Sequence, residues 1–242
     1  MAKSDFFKFE NKDVDFPFYN DDNFNFTGLQ SLFLIIISIG APILLQLGSK
    51  FIPDFIEPFI DIVLPLGAFM LVVKSDWTKL FKKVRFKDVL LAFGVLVVNL
   101  IVSGIVGIIV LKFIGAEANP AAKAMQANTM FENIIFFLKI VPMLIGEELM
   151  TIIPFLVILT FASKKLKLSR KTSIIISWVV TAVIFGLLHL PTYNWNLAQS
   201  LLIIGSARLV LTFAYIKTKN IWVSSMAHIL NDWTLFAPHL FL

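Results

Sequence analysis

Two adjacent glutamates, Glu147 and Glu148, stand inside the apolar run IGEELMTIIP. Farther along, His189 ends the stretch FGLLH, and His228 opens the stretch HILND, which closes on Asp232. Carboxylates and imidazoles set among aliphatic residues are the parts of a proton-transfer site. A desolvated carboxylate beside an imidazole can hold a water and remove its proton. A second imidazole, with an Asp or Asn, can donate hydrogen bonds to the oxyanion that forms when that water attacks a carbonyl. Together these groups can hydrolyse a peptide bond. Asp232 serves the oxyanion only if it is protonated; otherwise it orients His228 and Asn231 donates.

The same residues admit other chemistry. Glu147, His189 and His228 could hold zinc with one position open, although no His-Glu-x-x-His is present. Buried carboxylates and histidines also suit proton-coupled transport, which the short chain and the lack of an internal repeat argue against.

Spacing refines these roles. Phe185 lies four residues before His189, and His228 four before Asp232, so each pair shares a helix face, with Asn231 close by. Glu147 and Glu148 point about 100° apart around a helix. Only one can face a common centre, and the other must flank it. Gly146, beside the pair, can let a neighbouring helix come close.

The elements that position these residues are membrane helices. Hydrophobic residues make up 58% of the 242 and charged residues 15%, against about 25% charged in soluble domains. The composition therefore predicts an all-α, polytopic bundle. The apolar stretches are too long, and too little alternating, for barrel strands. Seven spans are expected, with six to eight admissible: 31–47, 59–73, 89–114, 131–162, 172–190, 197–216 and 221–237. The fourth is long for one crossing, and Pro142 and Pro154 are its expected bend points. With no cysteine, disulfides, thiolate metal sites and a Cys nucleophile are excluded.

Basic residues cluster in three short loops, KSDWTKLFKKVRFKD, SKKLKLSRK and KTKN. That clustering marks membrane orientation rather than nucleic-acid binding. It predicts a cell-membrane protein with a cytoplasmic N-terminus and, with seven spans, an extracytoplasmic C-terminus. Residues 1–28 lack the features of a signal peptide. They are read as a cytoplasmic tail whose phenylalanines lie on the membrane surface. Residues 29–242 form the transmembrane domain, with a motif-bearing core at 130–237. The stretch PTYNWN, with Tyr193 and Trp195, reads as an aromatic anchor at the interface. His239 reads as interfacial.

Taken together, EELMTI at 147–152, FGLLH at 185–189 and HILND at 228–232 resemble the CAAX prenyl protease and bacteriocin-processing family of intramembrane proteases. That family carries Glu-Glu-x-x-x-Arg, then Phe-x-x-x-His, then His-x-x-x-Asn/Asp, each on a transmembrane helix. The resemblance implies an endopeptidase acting on a membrane-associated peptide, such as a prenylated tail or a bacteriocin or pheromone precursor. It implies Glu147 and His189 as the water-activating pair, with Glu148 beside them, and His228 and Asp232 as the oxyanion-stabilising pair. It also implies catalysis without a metal cofactor, and lipids and a peptide or protein substrate as partners. Some members of the family are thought to act as bacteriocin self-immunity proteins, so a non-catalytic immunity or scaffold role is the alternative. One position departs from the pattern: the motif arginine falls on Ile152. Arg208, in the sixth span with no acid on its own helix, is expected to approach Glu147 or Glu148 in its place.

Overall fold

Each apolar run folds as a helix, which satisfies backbone hydrogen bonds within the segment as a hydrocarbon environment demands. The protein is represented by a computed structural model that describes residues 7–21, 24–48, 51–53 and 55–240. Among these, eight α-helices follow in order: α1 (Gly28–Gly48), α2 (Glu57–Val73), α3 (Phe86–Phe113), α4 (Pro120–Ala127), α5 (Met130–Thr160), α6 (Arg170–Leu188), α7 (Gly205–Thr218) and α8 (Ile221–Phe236). No strand is found among the described residues. Several helix starts coincide with side chains that satisfy the free N–H groups of a first turn. Thr129 and Glu132 close a reciprocal box at the start of α5, and Asn119, Ser169 and Asn220 cap α4, α6 and α8.

Among the described residues, six helical segments are long and apolar enough to cross a membrane, so the chain is a multi-pass membrane protein. The seventh expected span is α8, whose 16 residues reach only about 24 Å at 1.5 Å per residue. The fourth span is the scaffold of the bundle: 78% of its apolar window is buried, against 22% for the spans of α1 and α3. Pro142 and Pro154 both lie inside an uninterrupted α5. Helices α2, α1, α6 and α8 pack around it, and α3 closes against α7 and α8. Leu71, Phe86, Ile108 and Phe113 stay exposed on the outside, as a lipid-facing surface requires.

The three basic loops gather at one end of the bundle, where the N-terminal tail ties them together. Arg170 Nη2 lies 2.7 Å from both Glu10 Oε2 and Asp15 Oδ1. Lys219 Nζ lies 2.9 Å from Glu10 Oε2, and Lys82 Nζ donates to the Asp15 carbonyl at 3.4 Å. The third loop proves to be a turn between α7 and α8, with Lys219 in the left-handed region at φ 51°. Three of the tail phenylalanines do not lie on the membrane surface. Phe16, Phe18 and Phe26 are buried in the main core with Phe69, Phe155 and Tyr215. The ends of α2, α5 and α7 leave an apolar recess, and filling it removes those rings from water.

This arrangement gives the fold a pH dependence. Burial pushes the Glu10 carboxyl up, but hydrogen bonds from Arg170 and Lys219, the Lys219 charge and the Phe7 N–H more than reverse it and leave the group below its usual 4.5. A depressed carboxyl stabilises the fold above its unfolded-state value, and that stabilisation disappears as pH falls through the folded value. Melting of the detergent-solubilised protein is therefore expected to drop as pH falls below 4.5, and Glu10→Gln should flatten that part of the profile. Identical acid limbs in the two proteins would contradict this role of Glu10.

Candidate active site

The two glutamates diverge as their helical offset requires. Glu148 turns fully inward and its side chain is wholly inaccessible, whereas the Glu147 side chain keeps 19% of its accessibility. Gly146 makes the neighbouring packing possible: a Cβ there would fall 2.5 Å from Asp61 Cβ and 2.8 Å from the Asp61 carbonyl carbon. Helix α2 thus lies directly against α5 one residue before the pair. Gly186 has the same effect beside Phe185, where a Cβ would meet the Ser200 carbonyl oxygen at 2.5 Å. That carbonyl belongs to a π-helical stretch, Gln199–Ile204, that leads into α7.

Arg208 Nη2 lies 2.5 Å from Glu148 Oε1, and neither side chain is accessible. The guanidinium also donates from Nε to Thr212 Oγ1 at 3.1 Å, and its carbon sits 5.0 Å from the centre of the Phe185 ring. Ile152, where the family motif has arginine, is buried in the main apolar core. Glu148 therefore draws its cation from α7 rather than from its own helix.

His228 is held by the same carboxylate, with Nδ1 3.0 Å from Glu148 Oε1. A carboxylate paired with arginine accepts hydrogen bonds, so the imidazole donates from Nδ1. Its other nitrogen, Nε2, faces two acids at 3.8 Å: Glu147 Oε2 and Asp232 Oδ1. Asn231 Nδ2 donates to Asp232 Oδ1 at 3.0 Å. The side chains of Glu147 and Asp232 retain 19% and 23% accessibility, so this edge of the cluster is the reachable one.

His189 ends α6. Its Nδ1 lies 2.8 Å from the Phe185 carbonyl oxygen, which can only accept, so Nδ1 carries a proton and Nε2 is left for other partners. The His189 and Phe185 rings stand 4.5 Å apart, and Phe185 in turn meets the His228 ring edge-on at 6.3 Å. Among the described residues no hydrogen bond or ion pair joins Glu147 to His189; the imidazole close to Glu147 is that of His228. No three His, Asp or Glu side chains among the described residues are arranged to hold one metal ion. The alternative ligand set of Glu147, His189 and His228 is thus not assembled among the described residues.

Residues 129–234 match a protein-family model, that of the Rce1-like family, described as type II CAAX prenyl endopeptidase Rce1-like. The segment is similar to that family. The match covers somewhat less than half of the chain and contains all three motifs, from the cap of α5 to two residues before the end of α8. At the level of the family it supports a CAAX-type intramembrane protease. No curated protein and no solved structure matches the chain.

Three residues near the Rce1-like cluster are not legible from its motifs. Tyr193 is buried rather than anchored at an interface, with 7% exposure against 70% for Trp195. Its hydroxyl accepts from Asn119 Nδ2 at 3.3 Å. Burial pushes the phenol up to about 12, with the negative charges of Asp232 and Glu147 adding to the effect and the Asn119 hydrogen bond opposing it. Asp61 comes from α2, where it abuts Gly146. Asn99 comes from α3 and is fully buried; its Nδ2 donates to Asn231 Oδ1 at 2.9 Å. The available signal for both was an isolated polar residue in an apolar run.

Proposed function

We propose that the protein is an intramembrane endopeptidase in which Glu147 activates water and His228 stabilises the oxyanion. One observation carries the reading. The accessible carboxylate of Glu147 faces Nε2 of an imidazole whose other nitrogen is fixed by the Arg208-bound Glu148. The 3.8 Å between Glu147 Oε2 and His228 Nε2 is too long for a direct hydrogen bond. A water beside the two atoms can touch both, donating to the carboxylate and accepting from the imidazole.

The reaction then balances within these groups. Glu147 takes a proton from water as the oxygen attacks the peptide carbonyl. A proton on Nε2 of His228 supports the developing oxyanion. As the C–N bond breaks, the Glu147 carboxyl returns its proton to the leaving amine. Asp232 holds the His228 ring from the same side. His189 presents Nε2 to the peptide or the water, because its Nδ1–H is committed to Phe185.

The substrate class is a peptide carrying a prenyl group near its C-terminus, a reading that the family match supports. The enzyme works in the cell membrane, with the tail and basic loops cytoplasmic and the end of α8 outside. The gathering of all three basic loops at one end supports that orientation.

Purified protein in phospholipid vesicles, given a fluorogenic farnesylated CAAX peptide, is expected to release the C-terminal fragment. Cleavage is expected to persist in EDTA and in 1,10-phenanthroline. Loss of activity on chelation, restored by zinc, would overturn the metal-independent mechanism. Binding of the peptide without any cleavage would instead favour a non-catalytic immunity or scaffold protein.

A further inference from the structure

Helix α3 lies outside the matched segment, yet it reaches the site through one side chain. Asn99 is wholly buried and donates from Nδ2 to Asn231 Oδ1 at 2.9 Å, across 132 positions of sequence. Asn231 in turn donates from Nδ2 to Asp232 Oδ1 at 3.0 Å, and that same oxygen stands 3.8 Å from His228 Nε2. Two hydrogen bonds thus form a chain from α3 through two amides to a carboxylate, which stands beside the imidazole without bonding it directly.

The polarity of the chain is dictated from its carboxylate end. An accepting oxygen on Asp232 demands a donor from Asn231. That turns the Asn231 carbonyl towards α3, where it in turn demands a donor. Reversing Asn99 alone would set two acceptors face to face; reversing both amides would set the Asn231 carbonyl against Asp232. Among the described residues the buried Asn99 Oδ1 atom has no hydrogen-bond partner, so what holds the amide in this orientation is its donated hydrogen bond. Neither leucine nor an ionised aspartate can replace that donor.

We propose that Asn99 is a positioning residue of the proteolytic site, which fixes Asn231 and through it the Asp232 carboxylate, whose charge steadies the His228 imidazole 3.8 Å away. With Nδ1 committed to Glu148, the proton on Nε2 of His228 is the one directed at the oxyanion. The proposal rests on the protease reading and adds to it a residue from the half of the chain that the family model does not cover.

Steady-state kinetics on the farnesylated CAAX peptide in vesicles test it. Asn99→Leu keeps the size and removes the donor, and is expected to lower kcat by about 10- to 100-fold, the worth of a hydrogen bond to a charged network, with KM nearly unchanged. Asn99→Asp, similar in size and unable to donate when ionised, should lose as much, and it keeps the test open if leucine impairs folding. In the Asn99→Leu/Asn231→Leu pair, the double variant should be no slower than Asn231→Leu alone, because both changes break one chain. Val95→Ala, at a buried apolar position of the same helix, should lower thermal stability and leave kcat intact.

Wild-type kcat in both Asn99 variants would overturn the proposal and leave the protease reading standing. Fully additive losses with Asn231→Leu would also overturn it, since the two residues would then act separately. A wild-type protein that never cleaves the peptide would remove the protease reading and this inference with it.

Discussion

Glu147→Gln is expected to slow cleavage of the farnesylated peptide by about 10²–10⁴-fold, the usual contribution of a general base. At 1.36 kcal/mol per tenfold, this is about 3–5 kcal/mol of transition-state stabilisation. The amide keeps the shape and polarity of the side chain but cannot take a proton from water. Binding of the peptide should persist, so the loss falls on kcat and not on KM. The thermal midpoint should stay close to wild type, because Glu147 is partly accessible and stands 3.8 Å from His228 Nε2, too far for a direct hydrogen bond. Unaltered turnover in this variant would end the proposed mechanism, whatever else the site does.

The second large effect concerns the buried pair behind the site. Arg208→Met leaves Glu148 without its cation, at a position where neither side chain is accessible. Breaking a buried ion pair from one side costs about 3–5 kcal/mol, so the melting midpoint in detergent should fall sharply. Glu148→Gln strands the guanidinium and should also destabilise. The double variant Arg208→Met/Glu148→Leu should recover most of the lost stability, because two apolar side chains replace both charges at once. It should not recover activity, since His228 loses the acceptor that fixes its Nδ1. Arg208→Met with unchanged melting would show that the pair contributes nothing to the fold. Wild-type turnover in the double variant would show that Glu148 does not position His228.

The two experiments separate the two glutamates, which the sequence places side by side. Their difference is not intrinsic. Residue 147 looks towards the reachable edge of the cluster and residue 148 into α7 and α8, an outcome of the 100° step between neighbours on a helix. Which of the two faced outward depended on how α5 is rotated against its neighbours. Gly146 helps set that rotation by letting α2 approach at Asp61.

Much of the architecture was legible because its signals are local. Hydropathy over a window of about 20 residues reveals a span, and the spacing of Phe185 from His189 and of His228 from Asp232 places each pair on one helix face. The class, the helices and the three motifs were therefore readable in order along the chain. The pairing of Arg208 with a motif glutamate was legible for a related reason: a buried cation with no acid on its own helix must find one elsewhere.

What remained hidden depends on contacts between distant parts of the chain. Nothing local states that Glu147 stands near His228 rather than in an ion pair with His189, or that Asn99 reaches Asn231. Nor does it show that three of the tail phenylalanines fill a recess between helix ends. Hydropathy reports how far a residue type favours leaving water, and it carries no direction. The rotation and the neighbours of each helix come from packing that small residues permit and buried polar groups demand. By itself the sequence determined a helical membrane protein with acids and imidazoles on three of its helices. Only the tertiary structure decided which of them meet, because a buried charge or amide must be satisfied by whatever partner the packed bundle brings within reach.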